Sequence, residues 1–244
     1  MDRSLVASYA DLAEHHWWWR ARRAVLAAEL ERLARRRPFP RILEVGCASG
    51  ANLPLFADYG EVRALEPDAA LRGKDSRILA RPLDATYEPD RPFDLVAALD
   101  VLEHVQDRAT FLAQARRVLS PEGCLLVTVP AHRWLWTRHD EANQHLLRYS
   151  KSALRNELET AGFQVSRARL FFPSLVPAKL AVRLVEALKR KKPSEPPRVP
   201  AAPWNNLAAG WLRVEDRLLG PLHLPIGSSL LALASPPNAV RGRK

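Results

Sequence analysis

The stretch ILEVGCASGANL, residues 42–53, constrains the fold of this chain more than any other part of it. A run of apolar residues enters a turn that contains Gly46 and Gly50, and a helix is predicted to follow. Glycine allows a sharp turn and lets a ligand approach the backbone closely, and the N–H groups at a helix N-terminus face such a ligand. An ordinary strand-to-helix connection also uses glycine. The rest of the sequence must therefore decide whether this turn binds a ligand or only connects a strand to a helix.

Apolar runs alternate with helical patterns through the first 130 residues. Strands are predicted at 41–46, 62–66, 93–99 and 124–130. Residues 108–119 predict an amphipathic helix, and SPEGC (120–124) supplies a turn before the fourth strand. The apolar side of this helix carries Phe111, Leu112, Ala115, Val118 and Leu119. The alternation favours a parallel sheet that is covered by helices on both faces.

The remaining chain adds helices and two further strands. Residues 8–37 are predicted as one helix that ends at the RRRP sequence. After a long polar loop, Ser150 is predicted to cap a helix that stops at Gly162. Strands are predicted at 163–172 and 228–235.

Two helical patterns fill the insertion between those last strands. In residues 174–192, Lys179, Arg183, Glu186 and Arg190 recur on one narrow face while apolar residues occupy much of the rest, which predicts a basic amphipathic helix. After a proline-rich linker, a second apolar stripe recurs at spacings of three and four, at Trp204, Leu207, Trp211, Val214 and Leu218. The sequence leaves three roles open for these helices: packing on the core or on each other, docking on a membrane, or capping a substrate pocket.

Positive charge is concentrated in the last third of the chain. The net charge is +10, and residues 173–244 carry 12 Lys and Arg against 4 Asp and Glu. This excess favours an anionic partner such as a membrane surface or nucleic acid, although a solvated basic surface explains it equally well. The N-terminus lacks a signal-peptide pattern, and no apolar run approaches the roughly 20 residues of a transmembrane helix. We therefore expect a cytoplasmic protein.

Three acidic residues stand where open α/β sheets bind ligands, near the carboxyl ends of parallel strands. Glu66 ends the second strand, and a carboxylate there can accept hydrogen bonds from both hydroxyls of a ribose. Asp84, in RPLDAT, is placed to take an adenine amino group, and Asp100 ends the third strand.

In these stretches the chain resembles the class I S-adenosylmethionine-dependent methyltransferases, of the broad type 11/12-like group that includes small-molecule and quinone methylases. The resemblance rests on EVGCASG (44–50), ALEPD (64–68), LDAT (83–86), FDLVAALDVLEHVQD (93–107) and GCLLVTVP (123–130). It implies a doubly wound, seven-stranded, mostly parallel Rossmann-like sheet whose last strand is antiparallel. A dinucleotide-dependent oxidoreductase also explains the glycine turn and Glu66, but it does not explain LDAT and DVLEHV at their spacings.

The resemblance also implies which residues bind the cofactor, S-adenosyl-L-methionine. The turn shapes the site of the methionine part, Glu66 holds the ribose, Asp84 and Ala85 contact the adenine, and Asp100 and Val101 line the far side. Ala48 replaces the usual middle glycine, and we expect cofactor binding to survive this small change. The full expected set is Glu44, Gly46, Cys47, Ala48, Gly50, Glu66, Asp84, Ala85, Asp100 and Val101.

The polar loop after the fourth predicted strand is expected to hold the catalytic groups. A hydroxyl or phenol acceptor benefits from a general base, and histidine suits that role near neutral pH. We predict His139 or His145 as the base, with Asp140 orienting one of them and Tyr149 donating a hydrogen bond. Substrate contacts are expected from Trp134, Trp136, Asp140 and Arg148, the last holding an anionic group. A loop pinned by its own contacts is the alternative.

We expect no metal site in this loop. His139 and His145 are six residues apart, whereas the H-E-x-x-H pattern of zinc-binding helices needs a spacing of four. The two cysteines, Cys47 and Cys124, are also too few for a metal or disulfide framework.

The sequence HHWWWRARR, residues 15–23, predicts a lid over the methyl-transfer site. Trp18, Trp19 and Arg20 are expected to contact substrate, with Trp19 packing inward on a continuous helix and Trp17 and Trp18 pointing elsewhere. Plain packing of the helix remains the alternative. Base stacking is not favoured, because no recognised RNA-binding module accompanies these residues.

Together these inferences predict a four-part chain: an N-terminal helical lid (1–40), a cofactor-binding core (41–172), a basic helical insertion (173–225), and a last strand with a basic tail (226–244). The expected activity is methyl transfer to a small-molecule or lipid-linked acceptor, with peripheral membrane contact through residues 174–192. An RNA methyltransferase and a non-catalytic membrane-associated protein that retains the fold are the alternatives.

Overall fold

The computed structural model describes residues 3–188 and 198–237, with side chains from Tyr9 onward. Its seven strands form one sheet in the order β3-β2-β1-β4-β5-β7-β6. β7 pairs antiparallel with both of its neighbours, and the other pairs are parallel, as predicted. The strands are β1 (Arg41–Val45), β2 (Glu61–Leu65), β3 (Ile78–Leu79), β4 (Phe93–Leu99), β5 (Leu119–Pro130), β6 (Gln164–Phe171) and β7 (Ser229–Ser235).

Two strands differ from the sequence-based prediction. β3 has only two residues, which is too short for an alternating pattern to be recognised. β5 begins at Leu119 rather than at Cys124, because the predicted SPEGC turn is an irregularity within the strand. Its pairing with β4 shifts register between Phe93 and Leu95.

Helices cover both faces of the sheet. Side chains of α4 and α6 enter the core on one face, and those of α2, α3 and α8 enter it on the other. Ser150 caps α6 as predicted, its hydroxyl accepting from the N–H of Ala153, and Gly162 follows the helix with φ +84°. The helices are α1 (Arg3–His15), α2 (Trp17–Ala34), α3 (Leu53–Ala57), α4 (Arg108–Val118), α5 (Arg138–Ala142), α6 (Lys151–Thr160), α7 (Leu175–Leu188) and α8 (Ala202–Leu219).

The prediction of one continuous helix over residues 8–37 is wrong, because α1 and α2 are separated at His16. This residue is extended, with φ −70° and ψ 138°, and its ring nitrogen accepts from the N–H of Trp18 as an N-cap. The side chain of Asn205 bridges the break: its oxygen accepts from Trp17 N at 2.7 Å, and its nitrogen donates to the carbonyl of His15 at 2.8 Å. A residue 188 positions away thus satisfies the backbone groups that the break frees.

The helical insertion packs on the rest of the chain with only part of its surface. α8 packs on α2 through Asn205, Ala209, Leu212 and Glu215, while its predicted apolar stripe remains exposed. α7 buries only Val176. The two helices therefore do not bury their apolar stripes against the core. No helix among the described residues is long and apolar enough to cross a membrane. Arg190 and the basic tail beyond residue 237 lie outside the described residues.

Candidate active site

The glycine turn after β1 has the geometry that the sequence predicts. Gly46 and Gly50 have φ +68° and +80°, a region that side chains rarely adopt. A Cβ built on Gly46 would lie 2.7 Å from a methyl carbon of Val101, and one on Gly50 would lie 2.9 Å from a methyl carbon of Leu53. Both glycines are therefore required by backbone conformation and by close packing.

Ala48 takes the left-handed conformation that the usual glycine would take, with φ +47°. For a residue with a Cβ this costs about 1–2 kcal/mol. Two hydrogen bonds hold the strained residue: its N–H donates to Oε2 of Glu66 at 2.9 Å, and its carbonyl accepts from Gly73 N at 3.1 Å. The turn thus keeps its shape despite the substitution.

Two buried carboxylates flank this turn. Glu66, 5% exposed at the end of β2, also accepts from the N–H of Asp68 at 2.9 Å. Glu44, 1% exposed, receives a hydrogen bond on Oε1 from Asn52 at 2.7 Å, whereas its Oε2 has no partner among the described residues. Burial raises the pKa of Glu44 to about 7. An acceptor atom that is buried without a partner calls for a donor from a ligand.

Three more of the expected cofactor-binding residues lie outside the glycine turn: Asp84, Ala85 and Asp100. Asp84 is half-buried, and its carboxylate accepts from the N–H and hydroxyl of Thr86 at 3.0 and 2.7 Å, which lowers its pKa. Ala85 beside it is exposed. Asp100, at the end of β4, has φ +56° and accepts from the hydroxyl of Thr128 at 3.2 Å.

A cavity of about 380 Å³ opens beside Asp100, and we call it the tryptophan-lined cavity. Its walls come from five segments: the α1–α2 junction, the end of β4, the loop after β5, α7, and the start of β7. The lining residues are Tyr9, His16, Trp17, Trp18, Trp19, Asp100, Glu103, His104, Pro130, His139, Asn143, His145, Arg148, Leu175, Ala178, Lys179, Val182, Ser228 and Ser229.

All three consecutive tryptophans line this cavity, including Trp18 and Trp19, which were expected to contact substrate. The prediction that Trp17 and Trp18 point away from the packed side of a continuous helix is wrong, because both also pack against the core. The helix break explains the difference. Because α2 starts at Trp17, the three residues form its first turn, and the end of the helix rather than one of its sides meets the cavity. The rings of Trp18 and Trp19 meet edge to face at 5.1 Å.

Asp140 organises the polar wall of the cavity. It is fully buried, and its Oδ1 lies 2.8 Å from Nδ1 of His145 and 2.8 Å from Nε of Arg148. Burial opposes ionisation of Asp140, but the hydrogen bonds from His145 and Arg148 outweigh it and hold its pKa well below the usual value. The ionised carboxylate therefore orients the ring of His145 through its Nδ1.

Two other histidines in the cavity wall are held neutral. Desolvation by the surrounding protein lowers the pKa of His139 and of His104 to about 4. Nε2 of His139 lies 3.1 Å from the side-chain nitrogen of Asn143, and the ring of His104 meets that of His145 edge to face at 4.8 Å. Of the two predicted bases, His145 has the orienting carboxylate.

Five expected site residues do not line the cavity. Asp140, which was expected to contact substrate, is fully buried behind His145 and Arg148. Tyr149 is 1% exposed and packs within the hydrophobic core. Trp134 stacks on His132 and is 44% exposed, and neither it nor Trp136 is among the described residues that line the cavity. The guanidinium of Arg20 points away, donating to the side chain of Asn206 at 2.7 Å.

Sequence reasoning missed Glu103, and it considered Arg22 only as one of three arginines that could reach an anionic substrate, not as the partner of Asp100. Glu103 is 1% exposed, its Oε2 has no partner among the described residues, and burial raises its pKa well above the usual value. Its carboxylate, His104 and His145 offer ligand atoms within 4.8 Å of one another, a donor set that can hold a divalent cation. The only sequence signal for Glu103 was its place in DVLEHV, and Arg22 gave none beyond its position in HHWWWRARR.

Comparisons with known proteins agree with this geometry. A family model described as a methyltransferase domain matches residues 18–168. A probable S-adenosylmethionine-dependent methyltransferase of Mycolicibacterium smegmatis is 31% identical over 207 residues, which covers 80% of this chain and 77% of that protein. A ubiquinone biosynthesis O-methyltransferase of Rhodopseudomonas palustris is 29% identical over 104 residues, 38% of this chain and 41% of that protein.

The fold likewise matches solved structures. A putative methyltransferase of Haloferax volcanii, solved in complex with the Trm112 methyltransferase activator, superposes with a TM-score of 0.57 at 16% identity. The match covers 95% of this chain and 94% of that chain, so the shared architecture extends over nearly all of both.

Proposed function

Because this chain belongs to the S-adenosylmethionine-dependent methyltransferases, we propose that it methylates a hydroxyl of a small-molecule or lipid-linked acceptor that has an apolar part. The observation that carries this proposal is the Asp140–His145 pair in the wall of the tryptophan-lined cavity. The cavity begins at Asp100, where the cofactor-binding end of the sheet meets the loop after β5. An oriented base thus lies beside a largely aromatic pocket.

The residues around the glycine turn fit the cofactor. S-adenosylmethionine carries an ammonium group, and the unpartnered Oε2 of Glu44 is a buried acceptor that such a group can satisfy. Gly46 and Gly50 give the turn its tight left-handed path, since a Cβ on either would collide with Val101 or Leu53. We propose that Glu66 binds the ribose hydroxyls and that Asp84 contacts the adenine. When bound, the cofactor supplies an electrophilic methyl group on a sulfonium.

The tryptophan-lined cavity favours an acceptor with an apolar body. Trp18 and Trp19 offer large, rigid surfaces that exclude water at low conformational cost, and Leu175 and Val182 of α7 complete an apolar wall. A volume of about 380 Å³ holds a small molecule or the head of a longer lipid chain.

His145 is proposed to take the proton of the acceptor hydroxyl. Nε2 is free to accept it, and the resulting imidazolium is stabilised by the ionised Asp140 at 2.8 Å. Alignment of the hydroxyl with the transferable group is the larger catalytic task, and the packed tryptophans and Asp100 set that position. His139 has no carboxylate of this kind and serves as a neutral hydrogen-bonding group.

Two cations can hold an anionic group of the acceptor. Arg148 is pinned by Asp140 and by the carbonyl of Ala131, at 2.8 and 3.1 Å, and reaches the cavity wall with a fixed orientation. Lys179 of α7 also lines the cavity, and burial lowers its pKa to about 8. A phosphate or carboxylate on the acceptor would stabilise the charged form of this lysine and raise its pKa again.

A lipid-linked acceptor implies contact with a membrane, and we extend the proposal to peripheral contact through residues 174–192. α7 lies within this segment and forms part of the cavity wall. An acceptor with a long apolar chain would therefore enter beside α7.

The proposal is tested by transfer of label from methyl-labelled S-adenosylmethionine into a host extract, with a Glu66→Ala protein as control. The extract is separated into organic-soluble, small aqueous, RNA and protein pools. We expect label in the organic or small aqueous pool that is absent with the Glu66→Ala protein. Label confined to the small aqueous pool would reject a lipid-linked acceptor, and label in RNA or protein would overturn the proposed acceptor class.

A further inference from the structure

α7 has the reverse orientation of an ordinary surface helix. An ordinary surface helix buries its apolar face and exposes its polar face, whereas α7 exposes most of its apolar residues. Its polar residues point toward the protein: Lys179 lines the cavity, Arg183 donates to the carbonyl of Trp134, and Glu186 accepts from the backbone N–H of Arg138 at 3.1 Å. Its large apolar residues are exposed, and they are Leu180, Val182, Leu184, Val185 and Leu188.

α8 repeats this arrangement. Its buried side holds Asn205, which bridges the α1–α2 break, and Glu215, which accepts from Ser174 N at 2.8 Å. The side that faces solvent is a stripe of apolar residues, each at least 52% exposed: Trp204, Leu207, Trp211, Val214 and Leu218. Burying polar groups while exposing two tryptophans is unfavourable in water unless the exposed side has another environment.

The two helices are joined where α7 begins. Ser174 receives a hydrogen bond on its hydroxyl from the indole N–H of Trp211 at 3.1 Å, and its N–H donates to Glu215. The exposed stripe of α8 thus contacts Ser174, the residue that precedes α7. We call nine of the exposed apolar residues of α7 and α8 the outer apolar surface: Leu180, Leu184, Val185, Leu188, Trp204, Leu207, Trp211, Val214 and Leu218. Val182 is left out because it lines the tryptophan-lined cavity.

Positive charge accompanies this surface. Arg213 and Arg217 are exposed on α8, and the sequence KRKK, residues 189–192, follows α7 directly. A stripe of tryptophan and leucine combined with Lys and Arg is typical of helices that lie in the plane of a membrane, where anionic lipid headgroups attract the cations. Trp is also favoured at the boundary between apolar and aqueous environments.

We infer that the outer apolar surface docks on the surface of an anionic lipid bilayer, with α7 and α8 lying at the boundary between headgroups and acyl chains. Docking would place α7, one wall of the tryptophan-lined cavity, against the lipid. Delivery of a lipid-linked acceptor by this route rests on the proposed function, whereas the docking itself does not.

Binding to vesicles tests the inference without cofactor or acceptor. The full chain is floated with vesicles of phosphatidylcholine alone and with vesicles that contain one quarter phosphatidylglycerol. We expect binding to the anionic vesicles that weakens with salt. The variant Leu207→Gln/Leu218→Gln should reduce the partition coefficient by about tenfold or more, since two inserted apolar side chains are lost. Leu79→Gln, which changes an exposed leucine on β3, should bind like the wild type.

The possible results separate the inference from the proposed function. Equal partitioning of the wild type and the α8 variant, or equal binding to neutral and anionic vesicles, would overturn the docking. A wild-type dimer that the α8 variant converts to a monomer, without vesicle binding, would assign the surface to a second copy and would also overturn it. Binding of S-adenosylhomocysteine, measured by calorimetry on each variant, reports the fold and the cofactor site independently. Vesicle binding without methyl transfer would leave the docking intact and reject only the proposed acceptor.

Discussion

The guanidinium of Arg22, in α2, lies 2.7 Å from the carboxylate of Asp100 at the end of β4. Arg22 also donates to the hydroxyl of Thr128 at 3.1 Å and lies over the ring of Trp18, with 5.6 Å between guanidinium carbon and ring centre. One buried cation thus joins the tryptophans of the N-terminal helix to the strand end that is expected to bind the cofactor. The start of α2 and the end of β4 are therefore connected through one side chain.

Replacing Arg22 should therefore affect stability and both binding sites. Arg22→Met leaves Asp100 without its cation, and we expect a loss of about 2 kcal/mol in the free energy of unfolding, below the 3–5 kcal/mol of a fully buried pair because Asp100 is 27% exposed. The affinity for S-adenosylhomocysteine and kcat/KM should both fall by about tenfold or more. Arg20→Met, at an exposed arginine two residues away, is the matched control. Similar effects of the two substitutions would contradict the linking role.

The general-base role of His145 predicts a large kinetic effect. His145→Ala should lower kcat by about 10²–10⁴, the usual contribution of a positioned base, while the affinity for S-adenosylhomocysteine stays within about threefold. Asp140→Asn should lower kcat less, because the ring of His145 remains. The substitution removes the negative charge beside the ring and holds its orientation less firmly. His139→Ala should stay within about threefold of wild type. Steady-state kinetics decide the assignment: activity near wild type in both histidine variants would remove the general base altogether.

The raised pKa of Glu44 predicts that the stability of the protein depends on pH in a specific way. Folding raises its pKa from 4.5 to about 7, so between these values the folded protein holds a proton that the unfolded chain has released. The contribution of this group to the free energy of unfolding therefore falls as pH rises through this window, by about 3 kcal/mol in all. Denaturant titrations of wild type and Glu44→Gln across pH 4.5–7.5 should show the wild type losing stability relative to the variant. A constant difference would refute the raised pKa.

The same group should couple cofactor binding to proton release. Holding an ammonium group favours the ionised form of Glu44, so binding of S-adenosylhomocysteine near pH 6 should release a proton from this carboxyl. Calorimetry in two buffers of different ionisation enthalpy measures that release. It should be smaller in Glu44→Gln, and an equal release in both proteins would place the proton elsewhere.

The sequence predicted those parts of the molecule that depend on local patterns. The glycine turn, β4, the capped helix at Ser150 and the order of acidic residues along the sheet edge follow from short stretches with one dominant signal. The fold class followed from the joint spacing of these motifs. The pairing of Asp140 with His145, five residues apart, was also within reach because both lie in one short loop.

The features that the sequence did not predict depend on contacts between residues that are far apart along the chain. Periodicity shows which residues of α8 share a face, but it does not show that Asn205 is needed at the α1–α2 break and therefore turns Trp204 outward. Likewise, nothing near Arg22 indicates that its partner is Asp100, 78 positions later along the printed chain. Tyr149 was expected to donate a hydrogen bond at the catalytic site as part of the loop after β5, yet its side chain is buried in the core.

Ala48 provides a final test of the glycine turn. Ala48→Gly removes a left-handed alanine, which relieves about 1–2 kcal/mol of strain, but it also raises the conformational entropy of the unfolded chain, which costs about 0.5–1 kcal/mol. The free energy of unfolding should thus rise by between about 0 and about 1.5 kcal/mol, and cofactor affinity should be kept. Ala48→Val should destabilise the turn, because a β-branched residue fits this conformation poorly. Ala97→Gly, within buried β4, has no strain to relieve and should only destabilise. If Ala48→Gly were as harmful as Ala97→Gly in denaturant titrations, the strain assigned to φ +47° would be refuted.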